Sequence, residues 1–517
     1  MTMLVLKKTG FLFLVSLLLC LVLFASCGDE TASTTATETL STTVGTSADT
    51  TAVLNTEGVD TDLTTAPVTT AVVVESTTLP LVTEAPKPAV GNPTIIGYPS
   101  TESDVLPTLS INTENGTAIT SRDEYINASI SVSGTTDDEV YGFTDRTSEV
   151  RCRGNYTYTE TAKKSYRLKF TEKINLFGQG NGPAKSWVLL ANHCDQTFLR
   201  NHVAFTMGRE LSCIEYCSSS SLVKLYVNGE YLGIYQVAEQ HQINKYRVNI
   251  NEDPEALDTD YLIERDSYAS DSGEEGVAYF RINRTKYRIH NEYLSEEKCA
   301  YVKEYMQKAH DAVLDGNRVN VQRYIDIDSM VDTMILQALM KNTDVGYSSF
   351  FMVKKAGGKL YFTCPWDFDL ALGNDERLDE GEWEGLYVGA KSGMSQEHEW
   401  FYLLMNHEWF CNRVRDRWNE VKDNLYRKTL NEIDRIYACF GDEIATNFTV
   451  WKIFGRQINK EPRAIRALKS YEAHVQYLRN WYMNRYQYLD DLFNSQELYN
   501  QGGTYNGGWG DGWWGGW

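Results

Sequence analysis

The spacing of the apolar residues changes once along this chain, and that change limits the folds open to it. Before about residue 265 the apolar positions alternate. Leu109-Ser110-Ile111-Asn112 and Ala128-Ser129-Ile130-Ser131-Val132 put every second side chain on one face, with Gly, Asn and Asp between the two runs. That is the pattern of half-buried strands separated by turns. Residues 149–154 and 165–170 read as two more strands. Residues 222–227 and 231–237 flank Asn228-Gly229-Glu230, an Asn-Gly hairpin signal, and 261–264 make another short strand. One early helix is expected within 195–211, where Phe198, Val203, Ala204 and Met207 fall near helical spacing. Beyond residue 295 the repeat lengthens to three and four, and residues 296–315, 327–340, 400–427 and 471–493 read as helices. Strands first and helices afterwards predict an α+β protein of two lobes, with a strand-rich N-terminal half and a helix-rich C-terminal half.

Neither end of the chain shares that pattern. Lys7 and Lys8 precede an apolar run over residues 11–24 that stops at Ala25-Ser26-Cys27. A basic start, an apolar core and small residues before a cut make a secretory signal over 1–26. The run is shorter than the roughly 18–20 residues that cross a bilayer. Cys27 followed by Gly28-Asp29-Glu30 resembles a bacterial lipoprotein signal, although Phe24 stands where leucine is usual. Acyl chains on Cys27 would hold the protein at the outer face of the bacterial membrane. Residues 27–92, rich in Thr, Ala, Val, Glu and Ser, lack the apolar content to order themselves and read as a stalk. Residues 93–147 read as a β-rich extension, 148–495 as the main domain and 496–517 as a Gly/Trp-rich tail.

A net charge of −21 argues against nucleic acid as a partner and suits a basic one. Beyond Cys20 and Cys27 there are eight cysteines, of which only Cys213 and Cys217 are close, and no histidine pair stands at zinc spacing. The elbow of a serine hydrolase and the zinc helix of a metalloprotease are both missing from the sequence.

The acids worth following bracket one predicted hairpin. Lys341-Asn342-Thr343-Asp344 follows an apolar helix; a strand, the turn Lys355-Ala356-Gly357-Gly358 and a return strand come next. Then stands Pro365-Trp366-Asp367-Phe368-Asp369. A hairpin brings its own ends together, so Asp344 and Asp367 can converge despite the residues between them. Phosphoryl transfer needs such a group, because carboxylates hold hard Mg2+ ions and a further carboxylate orients the attacking hydroxyl. The plain alternative is that these are turn-capping and solvated loop acids. Upstream, Arg153-Gly154-Asn155-Tyr156-Thr157 runs from a strand into a loop rich in Gly and hydroxyls, and Lys163-Lys164-Ser165-Tyr166 opens the return strand. Backbone amides and a lysine beside such a loop can cover a triphosphate, but no GxGxxG or Walker lysine motif accompanies them.

Taken together, these stretches resemble the CotH family of spore-coat-type kinases over roughly residues 105–495. The matching blocks are Arg153-Gly154-Asn155 with Lys163-Lys164-Ser165-Tyr166; Trp187-Val188-Leu189-Leu190-Ala191-Asn192 with Asp195 and Leu199-Arg200-Asn201; Val227-Asn228-Gly229-Glu230-Tyr231-Leu232-Gly233 with Glu239; Asn342-Thr343-Asp344; and Pro365-Trp366-Asp367-Phe368-Asp369. The resemblance implies an atypical protein-kinase-like fold that uses ATP and Mg2+ to phosphorylate exported proteins. By its terms Asp344 looks like the catalytic base and Asp367 the principal metal ligand, with Asp369 close by. Arg153 lies in the nucleotide loop. Lys163, Lys164 or Lys169 looks like the phosphate contact, Lys164 being favoured. Glu239 and Glu264 would pair with that lysine, border the nucleotide, or serve only the fold. One position departs from the family's pattern: Ser349 stands five residues after Asp344, where an asparagine usually binds the second metal ion. Asp369 or Asn374 can offer the oxygen instead. An inactive kinase fold used as a surface scaffold is the rival expectation.

Overall fold

The computed structural model describes residues 106–502, apart from 136, 179–180, 284, 378 and 390–398. The expected signal, lipid-bearing Cys27, stalk and most of the Gly/Trp tail lie outside the described residues.

Seven strands close into a barrel: β1 (Thr108–Thr113), β2 (Ile126–Ser133), β3 (Phe143–Arg153), β4 (Ser165–Ile174), β5 (Ala184–Leu190), β6 (Ser220–Val227) and β7 (Glu230–Glu239). Their order is β1-β2-β3-β4-β5-β7-β6, and the parallel pairing of β1 with β6 closes the ring. Alternation explains the closure. Leu109, Ile111, Ile130, Val150, Leu168, Phe170, Trp187, Leu189, Val223, Leu225, Tyr235 and Val237 point inward and form one buried core, and a closed sheet has no edge left to pair. Between β3 and β4 lies a single helical turn, α1 (Tyr156–Thr159); between β5 and β6 lies α2 (Arg200–Glu210).

A second sheet has the order β12-β11-β8-β10-β9, built from β8 (Tyr261–Arg265), β9 (Tyr279–Ile282), β10 (Thr285–Ile289), β11 (Phe350–Lys354) and β12 (Leu360–Thr363). The remaining helices are α3 (Glu296–Asp315), α4 (Arg318–Tyr324), α5 (Ile327–Met340), α6 (Glu399–Leu404), α7 (Glu408–Ala445), α8 (Asn447–Val450), α9 (Arg463–Arg466) and α10 (Tyr471–Phe493). Their starts follow local chemistry: Ser295, Asp326 and Ser470 each accept a backbone N–H of the first turn. Among the described residues no helix is long and apolar enough to cross a membrane.

The α+β expectation holds, with three corrections. The hairpin of residues 350–363 leaves the helical half and pairs with β8, so strands and helices are not cleanly segregated along the chain. The boundary drawn between 147 and 148 falls inside β3, and β1 and β2 are walls of the barrel rather than an extension of it. The expected helix over 400–427 is two, because the chain turns at residues 405–407 between α6 and α7. Trp400 and Trp418 are fully buried, as core residues should be. Cys213 and Cys217 both carry free thiols.

Candidate active site

The site begins where α5 stops. Lys341 takes a left-handed conformation (φ 44°) and its N–H caps the helix on Gln337 and Ala338, while its buried ammonium donates to the carbonyls of Glu382 and Glu384 at 2.6 Å each. The next residues are thereby turned towards the hairpin. Thr343 donates its hydroxyl to Asp375 at 2.6 Å and Tyr387 donates to the Thr343 carbonyl at 3.1 Å. Asp344 follows, and the Arg377 guanidinium bridges it (3.2 Å) to Asp375 (2.5 Å).

At the far end of the hairpin the backbone bends sharply: Cys364 and Asp367 have φ of 55° and 67°, and at the near end Ser349, just before β11, has one of 59°. L-residues rarely adopt this conformation, and it concentrates where function demands it. The bend is held from α2. Asn201 Oδ1 accepts the Phe368 N–H at 2.8 Å. Arg200, in a buried pair with Asp195 at 2.5 Å, donates to the carbonyls of Ala371 (2.9 Å) and Leu372 (3.4 Å). Phe368 is fully buried, and Trp366 stacks on Phe205 at 5.5 Å and meets the His241 ring at 4.7 Å. The Leu199-Arg200-Asn201 block is thus the support of the Pro365–Asp369 loop, across 167 residues of chain.

The acids do converge. Burial pushes the Asp344 carboxyl up to about 6, Arg377 opposing the rise and Asp375 and Asp367 adding to it. Burial also raises Asp369 well above its ordinary range, helped by the negative charges of Asp367, Asp344 and Asp195. Asp367 is raised by desolvation and held down by Arg153, although its side chain remains open to solvent. Ser349 donates to Asp367 at 3.4 Å. Among the described residues no three His, Cys, Asp or Glu side chains form a ready-made metal cage. Mg2+ does not require one, since it is commonly held by one or two carboxylates together with substrate phosphate and water.

The three lysines expected to contact phosphate bond to other groups. Lys163 is fully buried and donates to the carbonyls of Ala191 (2.9 Å) and Ile234 and to Asn447 Oδ1 (3.0 Å), between the rings of Phe198 and Tyr235. It ties the barrel to α8. Lys164 folds back on its own loop, donating to the carbonyls of Tyr158 (2.6 Å) and Thr161 (2.5 Å). Lys169 is exposed and paired with Glu149 at 2.9 Å. Glu239 sits in a fully buried ion pair with Arg247 at 2.8 Å and accepts from Asn181 and Ser219, so it belongs to the fold. Glu264 lies on β8 and bonds His290 Nε2 at 2.7 Å, pairing with none of the three lysines. Arg153 does face the acids: its charge is felt by Asp367, and its guanidinium lies over Trp366 at 5.8 Å. Arg377 and Asp375 escaped the sequence reading. Asp375-Glu376-Arg377 follows the acidic loop closely, but nothing local says that it turns back on Asp344.

Asp344, Asp367 and Asp369 thus act on one another, with Arg153 facing Asp367. The sequence matches the CotH kinase protein family over residues 150–489 of the chain, and the protein belongs to that family. Among curated proteins, none matches the chain.

Proposed function

We propose that the protein is an exported protein kinase that moves the terminal phosphate of ATP, with Mg2+, onto hydroxyls of secreted or surface proteins, in a two-lobed kinase-like arrangement. The observation that carries this reading is the convergence of Asp344, Asp367 and Asp369 opposite Arg153. Three carboxyls crowded together, all of them made weaker acids by burial, constitute an excess of negative charge that a divalent cation relieves. Their oxygen-only donor set suits Mg2+.

Each residue then has a task. Asp367 and Asp369 would hold the ion, which when bound offsets charge on the phosphates. Asn374 donates from Nδ2 to the carbonyls of Cys194 (2.7 Å) and Asp369 (2.8 Å), while its buried Oδ1 has no partner among the described residues. That oxygen is a candidate for the role Ser349 fills poorly. Asp344 orients the acceptor hydroxyl and takes its proton as the new O–P bond forms and the bond to ADP breaks. Arg377 fixes the carboxylate while it waits. Arg153 balances charge on the phosphates.

The negative net charge favours a basic acceptor protein, and Cys27 would carry the lipid that keeps the enzyme at the outer membrane face. A second reading, a scaffold with this fold and no transferase activity, is favoured by Ser349 at the metal-asparagine position. Incubation of the protein with labelled ATP, Mg2+ and a basic acceptor, beside Asp367→Ala, separates the two. Labelling that depends on Asp367 supports the kinase; equal labelling, or none in either, removes it.

A further inference from the structure

The Lys163, Lys164 and Lys169 ammonium groups are all committed elsewhere, which leaves the phosphates of a nucleotide without the lysine expected for them. Resting on the nucleotide reading above, the remaining cationic groups near the acids point to arginines instead. In the β3–β4 register Arg151 lies opposite Arg167, and Arg153 follows Arg151 two places on. Successive strand residues alternate between faces. Val150, Cys152 and Leu168 fill the barrel interior, so all three arginines stand on its outer face. Arg288, on β10 of the second sheet, completes the group. It lies close enough that its charge, after burial and together with that of Arg151, holds the Arg167 guanidinium below its usual range.

Four guanidiniums crowd together in a chain that carries 21 excess negative charges, yet among the described residues none of the four is in an ion pair. Arg151 Nε and Arg167 Nε are buried and bond to nothing. Two of them lie over aromatic rings: Arg151 over Tyr125 at 5.0 Å and Arg153 over Trp366 at 5.8 Å. Glu264 lies across the β8–β10 pair from Arg288 and feels its charge, and Asp367 and Asp369 act on Arg153. Crowded, half-buried like charges are costly, and an added anion relieves that cost. The guanidinium fork matches phosphate oxygens two at a time. Arg153 feels Asp367 and Asp369, whereas Arg151 and Arg167 lie further back along the strands. A chain of phosphates laid on this wall would keep its last member at the acids.

We propose that Arg151, Arg153, Arg167 and Arg288 form a polyphosphate-binding wall that takes the tail of the nucleotide in place of a phosphate lysine.

Calorimetric titration of the full chain in EDTA with inorganic tripolyphosphate tests this without metal or phosphotransfer. Tripolyphosphate is expected to bind, and Arg167→Gln and Arg288→Gln each to weaken it about tenfold, with Asp367→Asn binding at least as tightly as the parent. Arg167→Lys and Arg288→Lys keep the charge and lose the fork; they serve if the Gln variants fail to fold, and a several-fold loss in them supports the wall. Undiminished tripolyphosphate binding in the arginine variants overturns the proposal even if Asp367-dependent kinase activity stands. Tighter binding of a phosphoserine peptide than of tripolyphosphate also overturns it, because the wall would then read the acceptor. Binding that depends on the arginines in a protein without transferase activity upholds the wall and removes the kinase reading.

Discussion

Asn201 Oδ1 receives the N–H of Phe368 at 2.8 Å, so a side chain on α2 sets the conformation of the loop that carries Asp367 and Asp369. The bond is buried, and the loop it holds has a left-handed residue directly before Phe368. Two blocks that look independent along the chain are therefore one device: the first is the support and the second the site.

Asn201→Ala is expected to lower the transfer rate about a hundredfold, since a displacement of about 1 Å at reacting groups has that effect, while stability falls by only about 1–3 kcal/mol for one orphaned buried donor. Asn201→Asp keeps the acceptor oxygen and should retain more activity than Asn201→Ala. Rates compared with urea midpoints for both variants provide the check.

Asp344→Asn should abolish transfer and stabilise the fold at neutral pH. The folded carboxyl titrates near 6 against an ordinary 3.8, so its contribution to stability is complete below about pH 4 and is lost as pH rises through 6. With 30% of the side chain exposed, solvent screening leaves an ionised Asp344 costing about 1–2 kcal/mol at pH 7. The variant should melt higher than the parent at pH 7, and the gap should close below pH 4. A variant less stable than the parent at pH 7 would contradict this.

Arg377→Ala removes the cation that keeps Asp344 ionised. The acid limb of the rate profile should move to higher pH, and the rate near pH 6 should fall about 10–100-fold, with partial recovery in alkaline buffer. An unshifted limb with a uniformly lower rate would reduce Arg377 to a structural part.

Lys163→Met is expected to damage the fold and not the nucleotide site. It removes the donor to the carbonyls of Ala191 and Ile234 and one of the two donors to Asn447 Oδ1, at about 1–3 kcal/mol for each acceptor left without a partner. The melting temperature should drop, while the KM for ATP of the folded protein stays within about twofold. A KM raised tenfold would return Lys163 to the phosphates.

Acid should loosen the protein through its buried imidazoles. Burial lowers His193 and His474 from 6.5 to about 4, and both lie within the folded interior. Between those values the unfolded chain binds more protons than the folded one, so stability rises with pH over 4–6.5 and is lost as pH falls through that window. Each contributes up to about 3 kcal/mol. His474→Gln should flatten the fall in denaturant midpoint between pH 6.5 and 4.

The sequence by itself determined much of the local order of this protein: the strands up to β8 other than β5, the Asn228-Gly229 hairpin, the long helices, and two acids at one end of a hairpin with a third at the other. Such features are legible because they depend on neighbours in the chain, through apolar period and turn residues. Only the tertiary structure decided which charges serve the site. Lys163 lies next to a promising loop, yet its partner Asn447 is 284 residues away; Arg288 acts on Arg167 although the two stand in different sheets; and the barrel closes only because β1 pairs in parallel with β6. Whether a charged side chain is buried against carbonyls or left facing an anion depends on contacts between distant segments, and alternation along one strand names two faces without saying which of them the fold will close.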